Sequence, residues 1–157
     1  MADQRPPRLL TGDRETLVEL LQFQRESLVR KVTGVSEEAA RQSPVGSGTT
    51  LLWLVKHLTT AELDWFRVRF AGEDVELPPS EVRPDDTVAG ALAAYQQSWT
   101  EVAPILATGD LDAECRRPGN QPSANLRWVL AHMLEETARH AGHADILREL
   151  IDGSTGR

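Results

Sequence analysis

The sequence lacks most of what a stapled, membrane-spanning or nucleic-acid-binding protein needs. Cys115 is its one cysteine, which excludes an intramolecular disulfide and any thiolate-rich zinc cage. Such cysteine poverty suits a reducing compartment, and a cytoplasmic protein is expected. Lysine is almost missing, with Lys31 and Lys56 its only occurrences. The formal net charge of −7 leaves no basic face to neutralise phosphates, so nucleic acid is not an expected partner. The longest apolar run, Leu51 to Val55, is far too short to cross a bilayer, and no signal-peptide core is seen. Strand signals are absent as well: β-branched runs are few, and no hairpin dipeptides separate alternating segments. No internal repeat is present.

What remains is helical periodicity. A chain of 157 residues suits one domain with a core of its own. Residues 1–12 are polar and proline-rich and read as a flexible lead, with a single domain over 13–153. A first helix opens at Asp13 and runs to about Val32, with apolar positions at Leu17, Leu20, Leu21, Leu28 and Val32. Its arginines, Arg14, Arg25 and Arg30, together with Lys31, read as a solvated face. Ser36 caps a short helical segment. The second long helix is expected over Thr49–Phe70, with Leu51, Leu54, Leu58, Ala61, Trp65 and Val68 on one arc and His57 at its edge. A crossover loop over 71–85 follows. The third helix starts at Asp86 and repeats through Val88, Leu92, Tyr95, Trp99, Val102 and Leu106, with Pro104 expected to end or kink it. A second irregular link spans 109–122, and Ser123 is a candidate cap for the last helix. There Leu126, Val129, Met133, Thr137, His140, Ala144, Leu147 and Ile151 form a seam in steps of three and four, stopped by Gly153. The expected fold is all-α, a four-helix bundle with two long connecting loops.

One seam residue is out of place. His140 lies among apolar neighbours, with Glu136 four residues before it and His143 three after, all within roughly 60° on a helical wheel. A carboxylate beside a buried imidazole needs a partner. A Glu-x-x-x-His pair on one turn can offer an oxygen and a nitrogen to a common divalent cation. A third ligand would come from another helix, and His57 is the only histidine outside the last one. The same residues could instead form a buried hydrogen-bonded network, and residue pattern alone leaves both readings open. Cys115, in the link before the last helix, reads as incidental.

Two stretches resemble the DinB-like superfamily, and more closely its actinobacterial branch related to mycothiol-dependent maleylpyruvate isomerase. The first is Leu54-Val55-Lys56-His57-Leu58, followed by Glu62 and Trp65-Phe66. The second runs from His132 through Glu136, His140 and His143 to Asp145, and on to Gly153. The resemblance spans about Leu17 to Gly153. It implies a DinB-like four-helix bundle with His57, Glu136 and His140 as metal ligands, zinc first and nickel second. It implies for His143 a place beside the ligands, orienting one of them or touching substrate. Glu62 is expected to hydrogen-bond a ligand histidine or Arg148. The likeness covers the metal-binding domain of that isomerase and not its further C-terminal domain, so the same substrate is not expected.

The function implied is transfer of a small bacterial thiol, mycothiol or bacillithiol, to a small-molecule electrophile through a metal-bound thiolate. Two alternatives stand beside it. One is metal-dependent hydrolysis with Glu62 or His143 as base, and the other a non-catalytic metal-dependent binding or stress-response module. A homodimer is expected by analogy with related bundles. Trp53, beside His57 on the side away from the apolar arc, reads either as part of that interface or as a lid over the metal cleft.

Overall fold

The computed structural model describes residues 4–120 and 122–155. Residues 1–3 of the expected lead, and Gln121 of the second link, lie outside them. Residues 4–12 carry no helix, and Leu10 stands fully exposed.

The described residues are all-helical apart from one isolated antiparallel bridge between Glu114 and Asn125. Helix α1 (Asp13–Val32) is followed by the short α2 (Glu37–Arg41), whose first turn Ser36 caps by accepting from the Ala39 amide. Helix α3 (Leu51–Glu62) begins behind the cap Thr50 and continues as a π-helix over Leu63–Phe70. Helices α4 (Val88–Thr108) and α5 (Leu126–Asp152) complete the fold. The most extensive packing is α1 along α5, with α3 lying against both α4 and α5.

Several boundaries differ from expectation, each for a local reason. The segment 49–70 is not one α-helix, because its last two turns widen to the π period. That period brings residues five apart into line, and Asp64 accepts from Arg69 Nε at 2.7 Å. Thr87, not Asp86, caps α4. The Asp86 carboxylate is taken by Lys56 (2.5 Å) and the Arg83 amide (2.6 Å). Asn125, not Ser123, caps α5, because 124–125 is held extended by the Cys115 amide donating to the Ala124 carbonyl at 2.8 Å. Pro104 does not end α4, which runs four residues further. It sits on the solvent face, as does Thr100, whose carbonyl loses its partner there and can turn to water. Gly153 stops α5 with φ 75°, the left-handed conformation that glycine adopts at no steric cost.

The core is divided. One apolar cluster gathers Leu28, Val32, Leu51, Leu58, Tyr95 and Leu147 among others, and a second gathers Leu21, Phe66, Val102, Leu106 and Met133. Between them every long helix contributes a buried polar side chain: Arg25 from α1, Glu62 from α3, Ser98 from α4 and Thr137 from α5. The basic positions of α1 are therefore not a uniformly solvated face. Arg25 is 2 % and Lys31 1 % exposed, Arg25 paired with Glu62 and Lys31 with Asp145. Burying such charges is tolerable only because each has a partner.

Candidate metal centre

The cluster forms at the edge of this polar layer, where α3 meets the middle of α5. His57 sits one turn before the end of α3, and Glu136 and His140 occupy successive turns of α5. Glu136 Oε1 lies 3.1 Å from His57 Nε2 and 3.0 Å from His140 Nε2, so one carboxylate oxygen serves two imidazoles. The second carboxylate oxygen faces Arg139 at 3.8 Å. His140 is nearly buried, at 8 % exposure, whereas His57 and Glu136 are half-buried.

These donors suit a divalent cation. One ligand atom from each residue lies within 4.8 Å of the others. A tetrahedral zinc ion with arms of about 2.1 Å keeps its ligand atoms roughly 3.4 Å apart. The observed Glu–His separations fall within a few tenths of an ångström of that spacing. Two imidazole nitrogens and a carboxylate oxygen are also a donor set that borderline divalent ions accept.

The surroundings tune these side chains in one direction. Burial disfavours the imidazolium of His140 and is the largest influence on it. Although Glu136 opposes this, the ring's pKa falls below the ordinary value. For Glu136 burial acts upward, but the hydrogen bonds and charges of His57 and His140 together hold its carboxyl below the usual range. A neutral imidazole and an ionised carboxylate are the forms that bind metal.

His143 is exposed, with Nδ1 3.2 Å from His140 Nδ1. It therefore touches the face of His140 opposite Glu136 and can fix the tautomer of that ring. Trp53 stacks on His57 with centroids 4.8 Å apart, and meets His140 edge-on at 6.2 Å. It thus packs on two of the three clustered side chains, and it is not among the residues that line the cleft. A cavity of about 270 Å³ opens beside His57 and Glu136, lined also by Thr60, Asp64, Trp65 and Leu77.

Glu62 does not reach the histidines. It is fully buried, and Arg25 holds it through two bonds, Nε to Oε1 at 2.7 Å and a terminal nitrogen to Oε2 at 2.5 Å. Nor does it meet Arg148, which donates to the Lys31 carbonyl (2.8 Å) and to Asp152 (2.8 Å). His132, one turn before Glu136, is drawn into an aromatic group instead. It stacks on Trp128 at 4.9 Å and meets Trp65 at 4.7 Å. Sequence reasoning missed Arg25 as the partner of Glu62, although Leu21, Arg25, Leu28 and Val32 keep one helical seam. It also missed Arg69, which the π-helix carries over the Trp65 ring at 4.5 Å.

An all-helical protein with two imidazoles and a carboxylate converging at an open cleft is the class that fold and geometry define. A family model described as mycothiol-S-transferase matches residues 16–153, and the chain belongs to that family, a DinB-like family related to mycothiol-dependent enzymes. No curated protein matches the chain. Among the described residues no helix is long and apolar enough to cross a membrane.

Proposed function

We propose that the protein is a metal-dependent S-transferase that joins a low-molecular-weight thiol, mycothiol or bacillithiol, to a small electrophile. The observation that carries this reading is the sharing of Glu136 Oε1 between His57 and His140, in a chain of the mycothiol-S-transferase family. His57, Glu136 and His140 are the proposed ligands, with zinc the proposed ion and nickel the second choice. When bound, such an ion supplies Lewis acidity that lets a thiol lose its proton at neutral pH. The residues do the rest. Trp53 and His143 hold the two rings in place, and the cleft beside Thr60 and Asp64 gives reacting groups access to them.

In the proposed reaction with a haloaromatic acceptor, the thiol proton passes to water and the sulfur forms a bond to the ring carbon. The carbon–halogen bond then breaks, and halide leaves with the electron pair. Atoms and charge balance without an oxidant or reductant. Hydrolysis is less well supported, because the carboxylate of Glu62 is committed to Arg25, which leaves His143 as its one candidate base.

We further propose a DinB-like four-helix bundle of α1, α3 with its π extension, α4 and α5, working in the cytoplasm. A homodimer is part of the same reading. Ile146 and Leu150, one turn apart and each 57 % exposed, are apolar surface that a second copy would cover. Light scattering showing only monomer at high concentration would remove the dimer.

The test of function is conjugation of mycothiol, and separately bacillithiol, to 1-chloro-2,4-dinitrobenzene by zinc-loaded protein. Acceleration over the uncatalysed reaction is expected, and it is lost in His57→Ala. No thiol-dependent turnover with fully loaded metal across a panel of electrophiles would overturn the reading.

A further inference from the structure

Beyond Trp65 lies a larger cavity, of about 560 Å³, within the range of small-molecule sites. Trp65 lines both it and the cleft beside His57 and Glu136. The other walls include Trp128, Arg69, Asn125, Ala124 and Cys115. The two indoles stand 5.4 Å apart at an angle of 53°, with His132 against both. Trp128 keeps 49 % of its surface exposed, although a side chain so large and apolar is ordinarily covered.

Arg69 brings the one positive charge among these walls. Its Nε donates to Asp64 at 2.7 Å. Its terminal nitrogens have no hydrogen-bond partner among the described residues. The guanidinium carbon stands 4.5 Å from the centroid of the Trp65 ring, Arg69 lines the cavity, and a planar guanidinium fork is the group that matches a carboxylate. The Cys115 thiol is pushed up by burial, against the smaller pull of the Ala124 backbone and of Arg69. It stays protonated at neutral pH and serves as apolar wall.

We propose that this cavity binds the electrophilic substrate of the transfer, a planar aromatic molecule bearing a carboxylate. Its ring would lie against Trp65 and Trp128 and its carboxylate against Arg69. The end that extends past Trp65 enters the cleft beside His57 and Glu136. The assignment of this ligand as substrate rests on the thiol-transfer reading; the binding site itself does not.

The test is therefore binding, read by titration calorimetry on the full chain without thiol. The probe is 2-naphthoate, and neutral 2-naphthamide is its control. Naphthoate should bind saturably, and naphthamide about tenfold more weakly, as expected for loss of a charged hydrogen-bond partner. Arg69→Gln should weaken naphthoate by a similar factor, and Trp128→Ala should weaken both probes. The metal-site variant His140→Ala should keep the wild-type affinity. Equal binding of the two probes by the wild-type chain would overturn the proposal without recourse to any variant, as would an absence of saturable binding. Naphthoate binding lost in His140→Ala but kept in Arg69→Gln would also overturn it, by placing the carboxylate at the histidines. Thiol transfer without naphthoate binding removes this inference alone. Naphthoate binding without thiol transfer removes the catalytic reading and keeps the site.

Discussion

The indole of Trp53 lies flat against the imidazole of His57, centroids 4.8 Å apart and planes 10° from parallel. A ring restrained in this way loses little freedom when its Nε2 takes a cation. Aromatic pairs are worth about 0.5–1.5 kcal/mol beyond their burial. Trp53→Ala should therefore lower zinc affinity by roughly twofold to tenfold, measured by competition with a chromophoric chelator. An unchanged affinity would mean that the stack does not position His57.

Metal content separates the histidines. Protein prepared without a histidine tag should carry close to one zinc or nickel per chain by elemental analysis. His140→Ala should lose it, and His132→Ala, whose ring is held by Trp65 and Trp128, should keep most of it. Equal loss in the two variants would refute the proposed ligand set.

Acid should weaken both metal binding and the fold, with the same sign. His140 has its pKa lowered in the folded chain, so its contribution is present above the unfolded value near 6.5 and is lost as pH falls through the folded one. Glu136 is lowered too, and its contribution is lost at still more acid pH. Zinc affinity should hold at neutral pH and collapse between roughly pH 6 and 4. Full affinity retained at pH 4 would point to an all-carboxylate site.

The Arg25–Glu62 pair should be costly to break and cheap to remove. Both side chains are almost wholly buried. Glu62→Gln leaves the guanidinium uncompensated and should cost about 3 kcal/mol or more in urea unfolding. The double replacement Arg25→Met with Glu62→Leu should recover most of that loss. A double variant no more stable than the single one would show that the pair does more than neutralise itself.

The parts of this molecule legible in the sequence were those written in the α-helical period. Asp13–Val32, the seam from Leu126 to Ile151 and the glycine stop at Gly153 could all be read directly. His140 stood out because it interrupts an apolar seam that is otherwise regular, and the family resemblance joined Glu136 and His57 to it. Arg25 escaped notice for the opposite reason, since a charged residue on a seam looks like a surface residue until its partner, 37 positions away, is known. The switch to a π-helix at Leu63 was hidden because a wider turn has no composition of its own. Helix starts slipped by one or two residues where a competing bond intervened, at the Asp86 carboxylate and at the Ala124 carbonyl.

The widened turn also resets the phase of its helix. Residues up to Glu62 answer to one angular register and residues after it to another, with about one extra residue per turn taken up between them. A single deletion within 63–66 would leave His57 where it is. It would swing Arg69 by about a quarter of a revolution and carry its charge away from the larger cavity. His57, a proposed metal ligand before the switch, and Arg69, the proposed acceptor contact after it, can therefore change position separately. One chain segment would thus carry, end to end, a proposed metal ligand and a proposed acceptor contact.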